Sequence, residues 1–352
     1  MKYFFLKLLL FLTPFVLVVL ITQLFVPMNG YYFRFWEALQ PKRLFGYFSG
    51  PFYPSIKMSM KERGDLAPHT DLSVVKEVVW QTDKYGYRTS NTSDQHEIII
   101  IGDSNIVGTG VTQEDILSEV VERKMKVSVY PYAPKTIEAF LQEKRFIKDK
   151  PKVVVFAEVE RSLSELGSAE NFVINSDNTS PFVEKIKLNK QLASVVTLID
   201  RSFDPLTWLY AKRLFTHKDP NPSYVYVSDR MLFLQGEEAN SDIPKEKIKQ
   251  AVDTIISYNE IFKARGIKMI FLPIPNKENI YYKMMPTQKK PTFLKTVINE
   301  LKKREVIVVD TQSLFEVAYE KEGFQLYHYD DTHWNSFGVK IAADGLIREL
   351  KK

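Results

Sequence analysis

Two kinds of hydrophobic run organise the chain. The first is Leu8–Val26, which is free of charge and interrupted only by Thr13, Thr22 and Gln23 among polar side chains. A run of that length crosses a bilayer core as a helix, and Pro14 within it is tolerable in a membrane helix. The second kind is short and recurs between amphipathic stretches: 98–101, 127–130, 152–156, 269–272 and 306–309. Helical spacing follows at Ile116, Leu117, Val120 and Val121, after Thr112-Gln-Glu-Asp, which reads as an N-cap with acids in the first turn. Further helices are predicted over 136–148, 244–265, 291–303 and 336–350. Short aliphatic runs alternating with helices predict an α/β fold, a parallel sheet flanked by helices in three layers.

Two stretches break the pattern. Residues 31–95 are rich in aromatics, Pro and Gly with weak periodicity, and Trp80–Arg88 suggests extended chain turning at Gly86. Residues 163–243 carry Asn, Ser, Asp and Pro clusters, an amphipathic piece near 183–199 and a possible hairpin around 224–235. That stretch is too long for an ordinary loop and reads as an insertion at the carboxyl edge of the sheet, a candidate cap. The expected division is a transmembrane anchor over 1–29, a juxtamembrane segment over 30–95, and a catalytic domain over 96–352 with the insertion at 163–243. Pro27-Met-Asn-Gly30 offers no small-x-small cleavage site, which favours an uncleaved anchor over a signal peptide. Lys2 and Lys7 compete with Arg34, Lys42 and Arg43 for the inside position. The short lead before the helix favours an extracytoplasmic domain.

Composition narrows the chemistry. The chain has no cysteine, which excludes disulfides, thiolate metal sites and a cysteine nucleophile. Net charge is +5 over 352 residues with scattered lysines, not the concentrated basic stripe of a nucleic-acid binder. No metal-ligand cluster and no cofactor motif stands out.

Gly102-Asp-Ser104 directly follows the strand at 98–101. It places a hydroxyl at the carboxyl edge of the sheet, where open α/β folds keep their sites. A serine needs a base. Of the five histidines, His333 lies in Tyr329-Asp-Asp-Thr-His-Trp334 with Asp330 and Asp331 just upstream, where a carboxylate can fix the tautomer and stabilise the imidazolium. Alone, Ser104 is equally a turn residue or helix cap, and Asp330–His333 equally an exposed polar loop. Together they point to a Ser-His-Asp site.

These motifs resemble the SGNH/GDSL hydrolase superfamily over about residues 97–350. Phe271-Leu-Pro-Ile-Pro-Asn-Lys-Glu-Asn-Ile-Tyr281, Glu158-Val-Glu-Arg161 and Asp331-Thr-His-Trp334 resemble its alginate O-acetyltransferase-like branch. That branch usually places the serine after the Asp-x-His element; here the serine comes first. The resemblance implies an SGNH-type fold, Ser104 as nucleophile and His333 as general base. The superfamily's Asp-x-x-His spacing selects Asp330 as acid; the branch's Asp-x-His spacing selects Asp331, and the adjoining Trp334 favours the latter. The superfamily's glycine and asparagine oxyanion donors are missing: those places read Tyr130–Pro134 and Glu158–Arg161. The Ser104 N–H remains, and losing a donor typically costs about 3 kcal/mol. Asn105, Arg161, Lys277, Tyr281 and Trp334 are the candidates for the oxyanion or substrate. Their plain alternatives are a loop-holding asparagine, a salt bridge to Glu158 or Glu160, a solvated lysine and a packing tyrosine. Asp103 is expected to shape the serine loop.

The resemblance implies a membrane-anchored extracytoplasmic serine acyltransferase, without cofactor or metal. It would acetylate a cell-surface or exported polysaccharide through an acyl-Ser104 intermediate. A polytopic membrane acyltransferase would deliver the acyl donor to such a glycan-modifying partner. The alternatives are a carbohydrate O-acyl esterase and a catalytically silent polysaccharide-binding or assembly subunit.

Overall fold

The structure is a computed structural model and describes residues 2–25, 34–42, 44–68, 70–167, 186–202, 225–228, 231–234 and 243–352. Its strands are β1 (Lys57–Glu62), β2 (Lys76–Gln81), β3 (Ile98–Ile101), β4 (Val129–Tyr132), β5 (Val153–Val159), β6 (Val225–Val227), β7 (Leu232–Leu234) and β8 (Lys268–Ile274). The central sheet is parallel in the order β4-β3-β5-β8. The chain enters at β3, steps outward to β4, then returns to the other side through β5. This reversal opens a crevice beyond the carboxyl end of β3.

Four isoleucines make β3 because both faces of a central parallel strand are buried. Ile98 and Ile100 join one core, Ile99 and Ile101 the other. Helices Leu117–Met125, Thr311–Glu322 and Ser336–Leu350 cover the first face; helices Ile137–Gln142, Lys144–Lys148, Lys245–Ala264 and Phe293–Lys303 cover the second. The expected three-layer α/β architecture is therefore present.

Several details differ from the sequence reading. The helix expected over 136–148 is broken at Glu143, whose extended backbone ends one helix while its side chain accepts Arg145 N of the next. The strand expected at 306–309 contributes a single parallel bridge, Phe271 to Val308. Helix Thr311–Glu322 was not anticipated; Asp310 caps it by accepting Ser313 N, and Gly323 closes it at φ 70°. Thr112 starts only a short 3₁₀ turn, and its hydroxyl accepts Val79 N.

Residues 34–95 read as a juxtamembrane segment, yet the described part of them shares the domain's core. Phe35, Trp36, Leu39, Phe52, Met60, Val78 and Trp80 lie in the same cluster as Ile98 and Ile100. Edge-to-face contacts run from Trp36 to Phe52 (5.9 Å) and on to Trp80 (5.4 Å). Aromatic packing of this kind needs no periodicity, which is why the hydrophobic pattern did not show it. β1 and β2 form an antiparallel hairpin on this segment.

Within the insertion, helix Lys190–Ser202 is tied to the segment by Asp200, which accepts Lys42 N (2.5 Å), Leu44 N (2.6 Å) and the Tyr53 hydroxyl (2.8 Å). The expected hairpin is β6–β7. Leu232 N of β7 donates to Tyr329 O. Most of 163–243 lies outside the described residues. Helix Lys2–Phe25 is exposed along Tyr3–Ile21 and has the length and composition of a membrane anchor or signal sequence.

Candidate active site

Ser104 begins a one-turn helix, Ser104–Val107, at the end of β3. Asp103 caps it: Oδ1 accepts Asn105 N at 2.7 Å. Gly108 ends the turn at φ 86°, a left-handed conformation that glycine adopts freely. A Cβ on Gly102 would meet Ala157 O of the neighbouring strand at 2.8 Å, so glycine lets the nucleophile's strand end press against β5.

The imidazole of His333 arrives from 229 residues away. Ser104 Oγ lies 2.7 Å from His333 Nε2, and His333 Nδ1 lies 2.6 Å from Asp331 Oδ1. Asp331 Oδ1 also accepts the His333 backbone N–H at 3.2 Å. His333 and Asp331 are fully buried, whereas Ser104 keeps partial exposure. Burial and the neighbouring Asp65 carboxylate push Asp331 up to about 6.

Asp330 is not the carboxylate on the imidazole. Its side chain turns away and accepts Gly64 N (2.9 Å), Val74 N (2.7 Å) and Lys76 Nζ (2.7 Å). Adjacent residues on the loop project oppositely, so one carboxylate reaches the ring and the other the β1–β2 connection.

Three residues expected at the oxyanion or substrate instead hold the base loop. Lys277 Nζ, buried, donates to His328 O (2.6 Å), Tyr329 O (2.9 Å) and Asp331 O (3.1 Å), and burial lowers it to about 8. The Tyr281 hydroxyl accepts Leu326 N at 2.7 Å. Trp334 Nε1 donates to Asn105 O at 3.3 Å, joining the base loop to the serine turn. Asn105 is likewise buried, with its amide 3.3 Å from Asp103 Oδ2. Lys277, Tyr281 and Trp334 thus bind backbone of the base loop or the serine turn, as buried polar groups must find partners.

Arg161 follows β5 on the short helix Glu160–Leu163 and is half-buried. The alternative salt bridge to Glu158 or Glu160 is not formed; among the described residues its guanidinium makes no ion pair. Glu160 is occupied by Asn276 N (2.9 Å) and Asn279 Nδ2. Pro134, at the end of β4, has no N–H to offer an oxyanion. Among the described residues the Ser104 N–H has no hydrogen-bond partner.

A cleft of about 480 Å³ opens beside the strand end, lined by Gly102, Asp103, Lys135, Glu138, Glu158 and Tyr258 among others. Burial, then the charge of Asp103, raises Glu158 to about 8.

Residues that sequence reasoning missed come from the 34–95 segment. Asp65 accepts Thr332 N (2.9 Å) and Thr332 Oγ1 (2.8 Å), and its Oδ2 lies 3.6 Å from His333 Nδ1. Arg88, stacked 3.8 Å from the Trp80 ring, donates to Val107 O, Gly108 O, Val79 O and Val111 O, and so fixes the loop after the serine. Glu62 accepts Trp80 Nε1 and Gly110 N. A Cβ on Gly64 would lie 1.9 Å from Asp330 O; that glycine is the one local sign of a close approach. Asp65, Asp331 and His333 also have cation-site spacing, but Nδ1 and Asp331 Oδ1 are already bonded to each other.

Residues 226–352 match the family model for the SGNH hydrolase-like domain of the acetyltransferase AlgX. The chain carries an SGNH hydrolase-like domain. The matched residues include Lys277, Asp331 and His333; Ser104 lies before them. An SGNH hydrolase-like domain is that of an acyl-transfer or ester-cleaving enzyme. Solved structures similar to the chain include the lipase/acylhydrolase from Enterococcus faecalis (12% identity, TM-score 0.37, 72% of this chain and 95% of that one). Another is an acetylxylan esterase from Geobacillus stearothermophilus (13%, 0.36, 72% and 94%). A likeness this distant says nothing of substrate. No curated protein matches the chain.

Proposed function

We propose that this chain is a membrane-anchored, extracytoplasmic serine O-acyltransferase that acetylates a polysaccharide hydroxyl through an acyl-Ser104 intermediate. The observation that carries the reading is the relay Ser104 Oγ–His333 Nε2–Asp331 at 2.7 and 2.6 Å. His333 takes the Ser104 proton as Oγ attacks the donor carbonyl. The tetrahedral oxyanion faces the Ser104 N–H, and Arg161, which makes no ion pair among the described residues, is the cation assigned to assist it. Collapse returns the proton to the leaving group and leaves an acyl-serine. A sugar hydroxyl, deprotonated by the same imidazole, then takes the acyl group. The donor comes from a polytopic membrane acyltransferase beside the anchor helix.

The cleft supports an uncharged, hydroxyl-rich acceptor. Asp103, Glu138 and Glu165 outnumber Lys135 in its lining, and carboxylates there would repel a uronate while accepting bonds from hydroxyls. An intact relay speaks against a silent binding subunit. One observation favours an esterase as the second reading: Ser104 keeps partial exposure beside an open cleft, so water can reach an acyl-enzyme. Purified full-length protein in detergent, given an activated acetyl ester and a neutral oligosaccharide, separates the two. Acetylated oligosaccharide that disappears with Ser104→Ala supports transfer. Acetate release with no acceptor product selects the esterase. Acetylation undiminished in Ser104→Ala sinks the serine mechanism.

A further inference from the structure

The acid end of the relay contains an imbalance. Asp331 Oδ1 is engaged twice by His333, but Asp331 Oδ2 is buried with no hydrogen-bond partner. A bare carboxylate oxygen in that position is costly. The neighbouring carboxyl is Asp65. One carboxylate oxygen each of Asp65 and Asp331 and one imidazole nitrogen lie within 4.8 Å of one another. Two buried carboxylates this close relieve the repulsion by binding one proton between them.

We propose that Asp65 is a positioning residue that shares a proton with Asp331 across the unpartnered Oδ2, and so sets when the acid can support His333. The proposal rests on the acyl-serine reading above. The proton comes from solvent and resides between the two carboxyls; no other bond changes. With the proton absent, Asp331 is a full anion behind the imidazole. With it present, the support is weakened and the serine is less readily deprotonated.

The surroundings fit this role. Thr332 N and Oγ1 hold the Asp65 carboxylate in place, and Arg34 Nη2 lies 3.5 Å from its Oδ2. Lys76 is engaged with Asp330, and Lys277 with three carbonyls, so neither donates to Asp331 Oδ2. Half-buried His328 completes the charged neighbourhood, held well below the usual histidine range by desolvation and then by Lys76. Within the pair the two carboxyls are driven apart. Asp331 is raised by burial and by Asp65. Burial also works to raise Asp65, but His333, Arg34 and the bond from Thr332 N together hold it below the ordinary carboxylate range.

The test is the pH dependence of Ser104 labelling by a fluorophosphonate probe, using full-length protein in detergent. In the unsubstituted protein the acid limb should be steeper than one proton, because imidazole and carboxyl pair both load. Asp65→Asn presents an amide N–H to Oδ2 and keeps Asp331 ionised. The limb should relax toward one proton and its midpoint fall by about half a pH unit or more. Arg34→Gln should move the midpoint the other way, since removing a cation favours the shared proton. That variant carries the test if Asp65→Asn does not fold. A limb that stays unchanged while only the plateau drops, in either variant, marks a purely structural Asp65 and overturns the proposal. Equal labelling of Ser104→Ala would instead remove the acyl-serine reading, and the proposal with it.

Discussion

Asp330 and Asp331 are neighbours in sequence, both fully buried, and they serve two different regions of the molecule. Asp331 faces the imidazole; Asp330 faces Gly64, Val74 and Lys76 of the N-terminal segment. The same contrast holds more widely. The β3 end and the loop before the last helix carry Ser104, His333 and Asp331. Residues 34–95 brace both: Arg88 and Glu62 hold the loop after Ser104, and Asp65 holds Thr332. The base is therefore only as well placed as a segment that carries no catalytic motif.

The comparison breaks most sharply at the two aspartates. Asp331→Asn should lower turnover by about 10⁴-fold through loss of tautomer control, with the thermal unfolding midpoint nearly unchanged. Asp330→Ala should do the reverse. It strands Lys76 and two backbone N–H groups and should cost about 3 kcal/mol of stability, read by denaturant unfolding. If Asp330→Ala left stability intact, the brace would not be structural.

Lys277→Met sharpens the same contrast within the base loop. Three carbonyls lose a donor, of which Tyr329 O keeps Leu232 N, and each lost bond costs about 1 kcal/mol. A loosened His333 should lower turnover by about 10- to 100-fold, and thermal unfolding should show the accompanying loss. The smallest effect concerns pH. Glu158 and Glu160 are raised by burial, to about 8 and about 7. A carboxyl raised in the folded state binds its proton there before it does in the unfolded chain. Stability should thus fall as pH rises from the ordinary carboxylate range toward 8. Thermal melts across that range should show the decline, and Glu158→Gln with Glu160→Gln should flatten it.

The chemistry-bearing half was legible because its signals are local. Four isoleucines, a glycine and a serine specify a buried strand end, and an aspartate two residues before a histidine specifies an oriented base. The choice between Asp330 and Asp331 needed the loop's geometry. The brace was illegible because its contacts are long-range: Asp65 meets Thr332 across 267 positions, and Asp330 meets Lys76 across 254. The motifs around Lys277, Tyr281, Trp334 and Asn105 point toward the substrate. The first three side chains hold backbone and Asn105 meets Asp103, because a motif marks that a side chain is used and not which partner uses it. Helix Thr311–Glu322 has end signals in Asp310 and Gly323 but only a short stripe of buried residues between them, and so shows weakly in the sequence.

The central claim is that Ser104 becomes acylated. Full-length protein mixed with an isotopically labelled acetyl ester, quenched in acid and digested, should give one labelled acetyl on the peptide containing Ser104. That adduct should vanish in Ser104→Ala and fade in Asp331→Asn. Turnover of the ester with no adduct on Ser104, or with the label on another residue, would contradict the account.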